Sequence, residues 1–229
     1  MKTNNNSVSV LFMFFSILFC VCLIAANVFG TKQIAIGSIN VTGGLLVFPI
    51  SYIINDCVCE VWGFQKARLL IWLGFAMNFL FVMIGALCDY IPGATYWDND
   101  AGFHAIFGLA PRIAMASFIA FLFGSFINAY VMSKMKMNSD GKNFSLRAIA
   151  STLLGESADS LVFFPLAFWG VIPISELPML MVWQVVLKTA YEIIILPITI
   201  HVVNLVKKHE GIDTYDYNVD YDILKVFNL

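Results

Sequence analysis

Charge is the scarcest property of this chain. Only 12% of its 229 residues are Asp, Glu, Lys or Arg, about half the share of a soluble domain. Hydrophobic residues make up 60%, more than the core of a soluble protein this size can bury. So much apolar surface also excludes disorder. Neither sign of charge dominates, with 13 basic against 15 acidic residues. There is no basic surface for a nucleic-acid backbone, and no nucleic-acid partner is expected. The three histidines, His104, His201 and His209, are scattered. The five cysteines, Cys20, Cys22, Cys57, Cys59 and Cys88, sit in or beside apolar runs. Cys57 and Cys59 are two apart and point to different helix faces, and nothing completes a zinc set around them. No metal or other cofactor is expected, and the cysteines read as small buried hydrophobes. The chain lacks a phosphate-binding glycine loop, an HExxH and a GxSxG. It is therefore expected to be no enzyme and to hydrolyse no ATP by itself.

What is abundant is apolar. The mean hydropathy is +0.83, and phenylalanine alone occurs 21 times. The expected class is an all-α integral membrane protein of the cell (inner or plasma) membrane, with the lipid bilayer as its solvent. Six runs reach the roughly 20 residues a span needs: 8–29, 43–62, 69–88, 110–132, 146–171 and 178–206. They are continuous, not alternating, which argues against a β-barrel. The first run is longer than a signal-peptide core and no clear cleavage site follows, so it is expected to stay. Residues 1–206 read as a six-helix transmembrane domain and 207–229 as a polar tail.

Basic residues set the orientation. Lys66 and Arg68 follow span two, Lys134, Lys136, Lys142 and Arg147 lie around the turn after span four, and Lys207 and Lys208 follow span six. With six spans these fall on one side, so both termini are expected to be cytoplasmic. The loop 89–110, with Asp89, Asp98, Asp100, Pro92, Tyr96, Trp97 and His104, suits an interfacial segment outside. The tail carries Asp213, Asp216, Asp220 and Asp222 among tyrosines. It reads as solvated, with packing against the cytoplasmic loops as the alternative.

Few as they are, several charges stand inside spans, where each costs a few kcal/mol or more. Span two holds Asp56 and Glu60, span five Glu156 and Asp159, span six Lys188 and Glu192. Spacings of three and four put each pair on one helical face. Arg112 opens span four. Three polar stripes imply a central pocket between spans two, five and six. Glu156 and Lys188 each fall about 15 Å from the start of their spans, near mid-membrane. Five carboxylates stand against Lys188 and Arg112, so some are protonated or receive donors from a ligand. A carboxylate accepts the two parallel donors of a guanine-type edge, and Phe163, Phe164, Phe168, Trp169 and Trp183 are available to stack a ring. A structural reading also stands: Lys188 bridging Glu192 within its helix, and Glu60 in interfacial water beside Arg68. Gln184, Asn27, Asn78 and Asn128 are further candidates, since single amides often join helices. Pro49, Pro165 and Pro197 lie in the same three spans and are expected to break them beside the pocket.

At these residues the chain resembles the queuosine precursor transporter family. The run Asn55-Asp56-Cys57-Val58-Cys59-Glu60-Val61-Trp62-Gly63, then Lys66 and Arg68, is similar to that family's acidic motif. Gly155-Glu156-Ser157-Ala158-Asp159-Ser160, then Phe163 and Ala167-Phe168, is similar to its second motif. Lys188, Tyr191-Glu192 and Pro197 are similar to the third, and Lys208-His209-Glu210-Gly211-Ile212-Asp213-Thr214-Tyr215-Asp216 to its C-terminal segment. The resemblance covers residues 25–217. It implies a six-helix importer of 7-deazaguanine bases, namely 7-cyano-7-deazaguanine, 7-aminomethyl-7-deazaguanine and, for some members, queuine, which feed queuosine modification of transfer RNA. The substrate-binding residues are then expected to be Glu156 and Asp159 first, with Lys188 and Glu192 as partner and proton carrier, Gln184 beside them, and Asp56 and Glu60 at the cytoplasmic exit or on the base. A coupling proton or ion is the further partner this implies. The alternative is the substrate-binding subunit of a vitamin or base transporter energised by a separate ATPase module.

Overall fold

The computed structural model describes residues 9–36, 39–108, 111–170, 173–175 and 177–226. Residues 110 and 171, the expected limits of spans four and five, and the side chain of Arg112 lie outside the described residues. The elements are α1 (Val10–Gly30), β1 (Gln33–Ile36), β2 (Ile39–Thr42), a 3-10 turn (Gly43–Leu46), α2 (Phe48–Trp62), α3 (Phe64–Tyr90), α4 (Asp100–Phe107), α5 (Pro111–Asn138), α6 (Phe144–Phe168) and α7 (Leu177–Glu210). Every apolar run forms a helix, because only helices satisfy their own backbone within one apolar segment. The strands form one antiparallel hairpin, with Gln33 opposite Thr42 and Ile36 opposite Ile39.

Among the described residues, four helices are long and apolar enough to cross a membrane: α1, α3, α5 from Met115 onward, and α7. Their outer faces carry Phe14, Ile17, Leu80, Ile84, Leu87, Ile194 and Ile198, all exposed. Such a continuous apolar exterior marks a multi-pass membrane protein. The other two expected spans differ. Helix α2 has 15 residues and rises only about 22 Å, less than the ~30 Å hydrocarbon core. Helix α6 has 25 residues but carries Arg147, Glu156 and Asp159. In α6 these charged residues lie on the buried face, while Leu153, Leu154 and Leu161 stand exposed on the other. In α2, 12 of its 15 residues are buried, so its charges never face lipid.

Pro49 does not break α2. It sits in the first turn, where its missing N–H has no intrahelical acceptor to lose. Pro165 and Pro197 do lie inside their helices, α6 and α7. Helices α5 and α6 form a tight hairpin. A Cβ on Gly155 would stand 2.8 Å from the Gly124 carbonyl oxygen, and one on Gly124 would stand 2.7 Å from the Tyr52 hydroxyl. The two backbones therefore touch beside Glu156. The turn between these helices holds Gly141 at φ 75° and Asn143 at φ 53°.

The start of α1 and the end of α7 meet at one end of the molecule, where the Ser9 hydroxyl donates to Glu210 at 2.6 Å. The α2–α3 and α5–α6 turns lie there too, and the tail is strapped across them instead of standing in solvent. Thr214 N–H donates to the Val61 carbonyl at 3.1 Å. Asp216, 4% exposed, accepts from Phe64 N–H at 3.0 Å and from the Ser133 hydroxyl at 2.6 Å. Helix α3 has no side-chain cap of its own at Gly63, and Asp216 supplies one from 152 residues away. Gly63, at φ +83°, leaves room for it: a Cβ there would stand 2.7 Å from Asp216 Oδ1. Arg68 donates to the carbonyls of Asp220 and Asp222 at 3.0 and 2.7 Å, and Trp72 Nε1 to that of Ile223 at 2.8 Å.

Candidate functional site

A cavity of about 180 Å³ opens in the half of the bundle nearer the β-hairpin. Its polar wall is Asp159, Lys188, Gln184, Asn27 and Asn78, and its aromatic wall is Phe48, Phe121 and Phe163. All the long helices and α2 contribute to it, not only spans two, five and six. Asn27 and Asn78 bond to each other at 2.7 Å, fixing α1 to α3 at the rim. The stacking wall differs from the expected one. Of the five aromatics expected there, only Phe163 lines the cavity. Trp169, just past the end of α6, and Trp183, in the second turn of α7, are exposed on the outside. Phe48 and Phe121 take their place, since apolar residues carry no pattern that separates a cavity wall from core.

Behind the wall lies a buried charge triad. Lys188 Nζ donates to Glu156 at 2.6 Å and stands 3.6 Å from Asp159. All three are nearly sealed, and the ammonium also lies 4.2 Å from the centre of the Phe48 ring. Lys188 thus bridges α7 to α6 and does not pair with Glu192 on its own helix. Glu156 is its firm partner. Asp159, which faces the cavity, is the looser one, so its oxygens can take donors from a ligand.

Asp56 and Glu192 lie deeper than the cavity wall, and both are essentially sealed, at 0% and 1% exposure. Neither carboxylate has a hydrogen-bond partner among the described residues. Beside them, the Asn55 amide donates to Asn128 at 2.8 Å, joining α2 to α5.

Glu60 anchors a third cluster at the tail end of the bundle. It is 1% exposed, not in interfacial water, and Arg68 is not its partner. Arg147 forks onto it, with Nη2 donating to Oε1 at 3.0 Å and Nη1 donating to Oε2. Lys207 donates to it at 2.6 Å and Lys136 stands 3.8 Å away. Lys136 and Lys207 also hold Asp213 of the tail. Burial pushes the Asp213 carboxyl upward, but the two ammonium groups outweigh it and hold it below the usual carboxylate range. Arg147, Lys136 and Lys207 reach inward from positions that the sequence assigns to loops and helix ends. Their spacing along the chain gives no sign of this.

Along α2, the cavity-lining Phe48, then Asp56, then Glu60 follow at about 12 and 6 Å of helix rise. Along α7, Lys188, Glu192 and Lys207 follow in the same direction. Ionisable groups thus run from the cavity to the tail end in three steps.

Residues 42–202 match the model of a family described as "Putative vitamin uptake transporter". The chain is similar to the "Probable queuosine precursor transporter" of Bacillus subtilis, with 28% identity over 177 residues, 76% of each chain. It is similar to the "Queuosine precursor transporter" of Escherichia coli, with 30% identity over 159 residues, 67% of each. It is also similar to the "Probable queuosine precursor transporter" of Haemophilus influenzae, with 28% identity over 137 residues, 58% of this chain and 54% of the relative. No solved structure matches it.

Proposed function

The chain belongs to the vitamin uptake transporter family, and on that premise we propose that it imports queuosine precursors, as the names of its relatives say of them. The substrates of this reading are 7-cyano-7-deazaguanine and 7-aminomethyl-7-deazaguanine. The observation that carries it is the cavity, where a carboxylate, an ammonium and an amide converge between phenyl rings. Its volume, about 180 Å³, compares with the roughly 150 Å³ that takes up one benzene ring, so it suits a small flat base. In this reading Asp159 accepts the two donors of the amidine-like edge, with Glu156 holding Lys188 in place behind it. Gln184 reads the remaining edge, and Phe48, Phe121 and Phe163 stack the ring.

The same proposal takes α1, α2, α3, α5, α6 and α7 as six spans of residues 1–206 in the inner membrane. The strapped end, rich in Lys and Arg, lies in the cytoplasm. Asp56, Glu192 and Glu60 then lie on the route from the pocket to the cytoplasm.

Binding of tritiated 7-cyano-7-deazaguanine to the purified chain tests the site. Replacing Asp159 by Asn exchanges one acceptor for a donor and is expected to weaken binding by about 10- to 100-fold, the range for a lost charged hydrogen bond. The neighbouring, outward-facing Trp183→Phe is expected to bind as wild type does. Unchanged binding by Asp159→Asn would remove the pocket assignment.

A further inference from the structure

Asp56 on α2 and Glu192 on α7 pose a problem that base recognition does not solve. All four of their carboxylate oxygens are buried and unpartnered among the described residues. The cations near them are committed elsewhere. Lys188 serves Glu156 and Asp159, and Arg147, Lys136 and Lys207 serve Glu60 and Asp213. Asn128 is the amide that approaches Asp56, and its nitrogen and both Asp56 oxygens fall short of hydrogen-bond geometry. Asp56 and Glu192 also lie within electrostatic reach of each other. Two carboxylates in one dry site do not both stay ionised without a cation. A proton shared between them would relieve both.

The hydroxyls around them give an independent sign of a ligand. Tyr52 stands one turn before Asp56 on α2 and is 3% exposed. Its hydroxyl is unpartnered and within electrostatic reach of Asp56, Glu156 and Asp159. Thr189 Oγ1, one turn before Glu192, and Asn55 Oδ1 are buried and unpartnered as well. A hydroxyl both donates and accepts, and Tyr52 stands on α2 between the cavity-lining Phe48 and Asp56. The other titratable and charged groups facing the pair among the described residues are Cys57, Cys59 and Glu60 on α2, and Arg147 and Glu156 on α6. Helix α5 adds the neutral Asn128. Helices α1 and α3 pack on α2 through apolar side chains such as Phe19, Leu70 and Ile71.

We propose that Asp56 and Glu192 form a proton-binding site and that the proton they share is the coupling ion of transport. The proton arrives from the pocket through Tyr52, is held between the two carboxylates, and leaves toward the Glu60 cluster and the cytoplasm. The coupling half of this proposal rests on the import reading, whereas the proton site itself does not.

Infrared spectroscopy of the full chain in lipid vesicles tests the site without any substrate. A protonated-carboxyl stretching band is expected at neutral pH. Glu192→Gln and Asp56→Asn are each expected to remove intensity from it, and Asp213→Asn is expected to leave it unchanged. A wild type with no such band, or a band that neither Glu192→Gln nor Asp56→Asn alters, overturns the shared proton. Vesicles supplied with tritiated 7-cyano-7-deazaguanine test the coupling. One proton per base and an inward gradient of one pH unit are expected to give up to about tenfold accumulation, abolished by a protonophore. Glu192→Gln is expected to lose this accumulation while still exchanging internal for external base. Gradient-driven accumulation that survives in Glu192→Gln, or that a sodium gradient drives alone, overturns the coupling. A wild type that exchanges no base overturns the import reading instead, and the infrared result stands apart from it.

Discussion

Lys188 holds two carboxylates at once, and its removal is the most damaging single change in the pocket. Without it, Glu156 and Asp159 remain buried with no cation, a situation that costs about 3–5 kcal/mol when a buried pair is broken. Lys188→Met is therefore expected to lower the thermal midpoint of the detergent-solubilised protein sharply. The double change Lys188→Met with Glu156→Gln is expected to recover part of that loss, because one unpaired charge goes with it. A double variant less stable than Lys188→Met would show that the pair is not coupled as described. At this scale the sequence was informative about which charged residues lie inside the bundle. Charges inside apolar runs are costly enough to stand out, and three- and four-residue spacings put Glu156 with Asp159, and Asp56 with Glu60, on shared faces. It was silent about partners. Lys188 faces Glu156 on another helix and not Glu192 on its own, because the spacing within a helix says nothing about what stands opposite.

The elements that position these residues depend on close backbone approach. Gly155 lies one residue before Glu156, and its missing side chain lets α6 touch α5 at Gly124. A methyl group there meets a carbonyl oxygen, which cannot rotate away. Gly155→Ala is expected to cost about 1–3 kcal/mol by overpacking and to reduce base binding by displacing Glu156 and Asp159. A Gly155→Ala protein with wild-type stability and binding would contradict the tight α5–α6 contact. The tail strap is the second device of this kind. Asp216→Ala removes the cap of α3 and is expected to cost about 1 kcal/mol, with faster hydrogen exchange at Phe64 and in residues 213–223. The strap's dependence on pH follows from Asp213. Its carboxyl titrates lower when held by Lys136 and Lys207 than when free. The contribution is therefore complete above the free value of about 3.9 and is lost as pH falls through the lower, bound value. Protease cleavage of the tail is expected to stay constant from neutral pH down to about pH 4 and to rise only below it. The sequence offered this packing against the loops only as the alternative to a solvated tail, and none of its partners was legible. A run of aspartates among tyrosines looks like a solvated tail until the lysines, the arginine and the bare helix start that it meets are known. The hairpin of β1 and β2 and the short α4 were missed for a similar reason. They are brief segments between long apolar runs and have no strong period of their own.

For the whole molecule, the sequence was a good guide to class and a partial guide to architecture. Each expected span corresponds to a helix, because 20-residue apolar runs have few other solutions. What hydropathy could not show is that α2 is short and enclosed and that the charged face of α6 is buried. The six-span arrangement proposed above has a direct consequence. In a Cys88→Ser background, a cysteine placed at Ser139 in the α5–α6 turn is expected to react with an impermeant thiol reagent only from the cytoplasmic side, and one at Asn99 only from outside. Equal labelling from both sides, or the reverse sides, would contradict the orientation. The central claim is import of queuosine precursors through the Asp159–Lys188 cavity, and a rescue assay tests it most directly. A host that lacks both precursor synthesis and its own importer, but can convert the supplied base, expresses this chain and receives 7-cyano-7-deazaguanine at low concentration. Restored queuosine in its transfer RNA, lost again in Lys188→Met shown to be present in the membrane, is the predicted result. No restored queuosine with the wild-type chain in the membrane, or restoration undiminished in Lys188→Met, would contradict it.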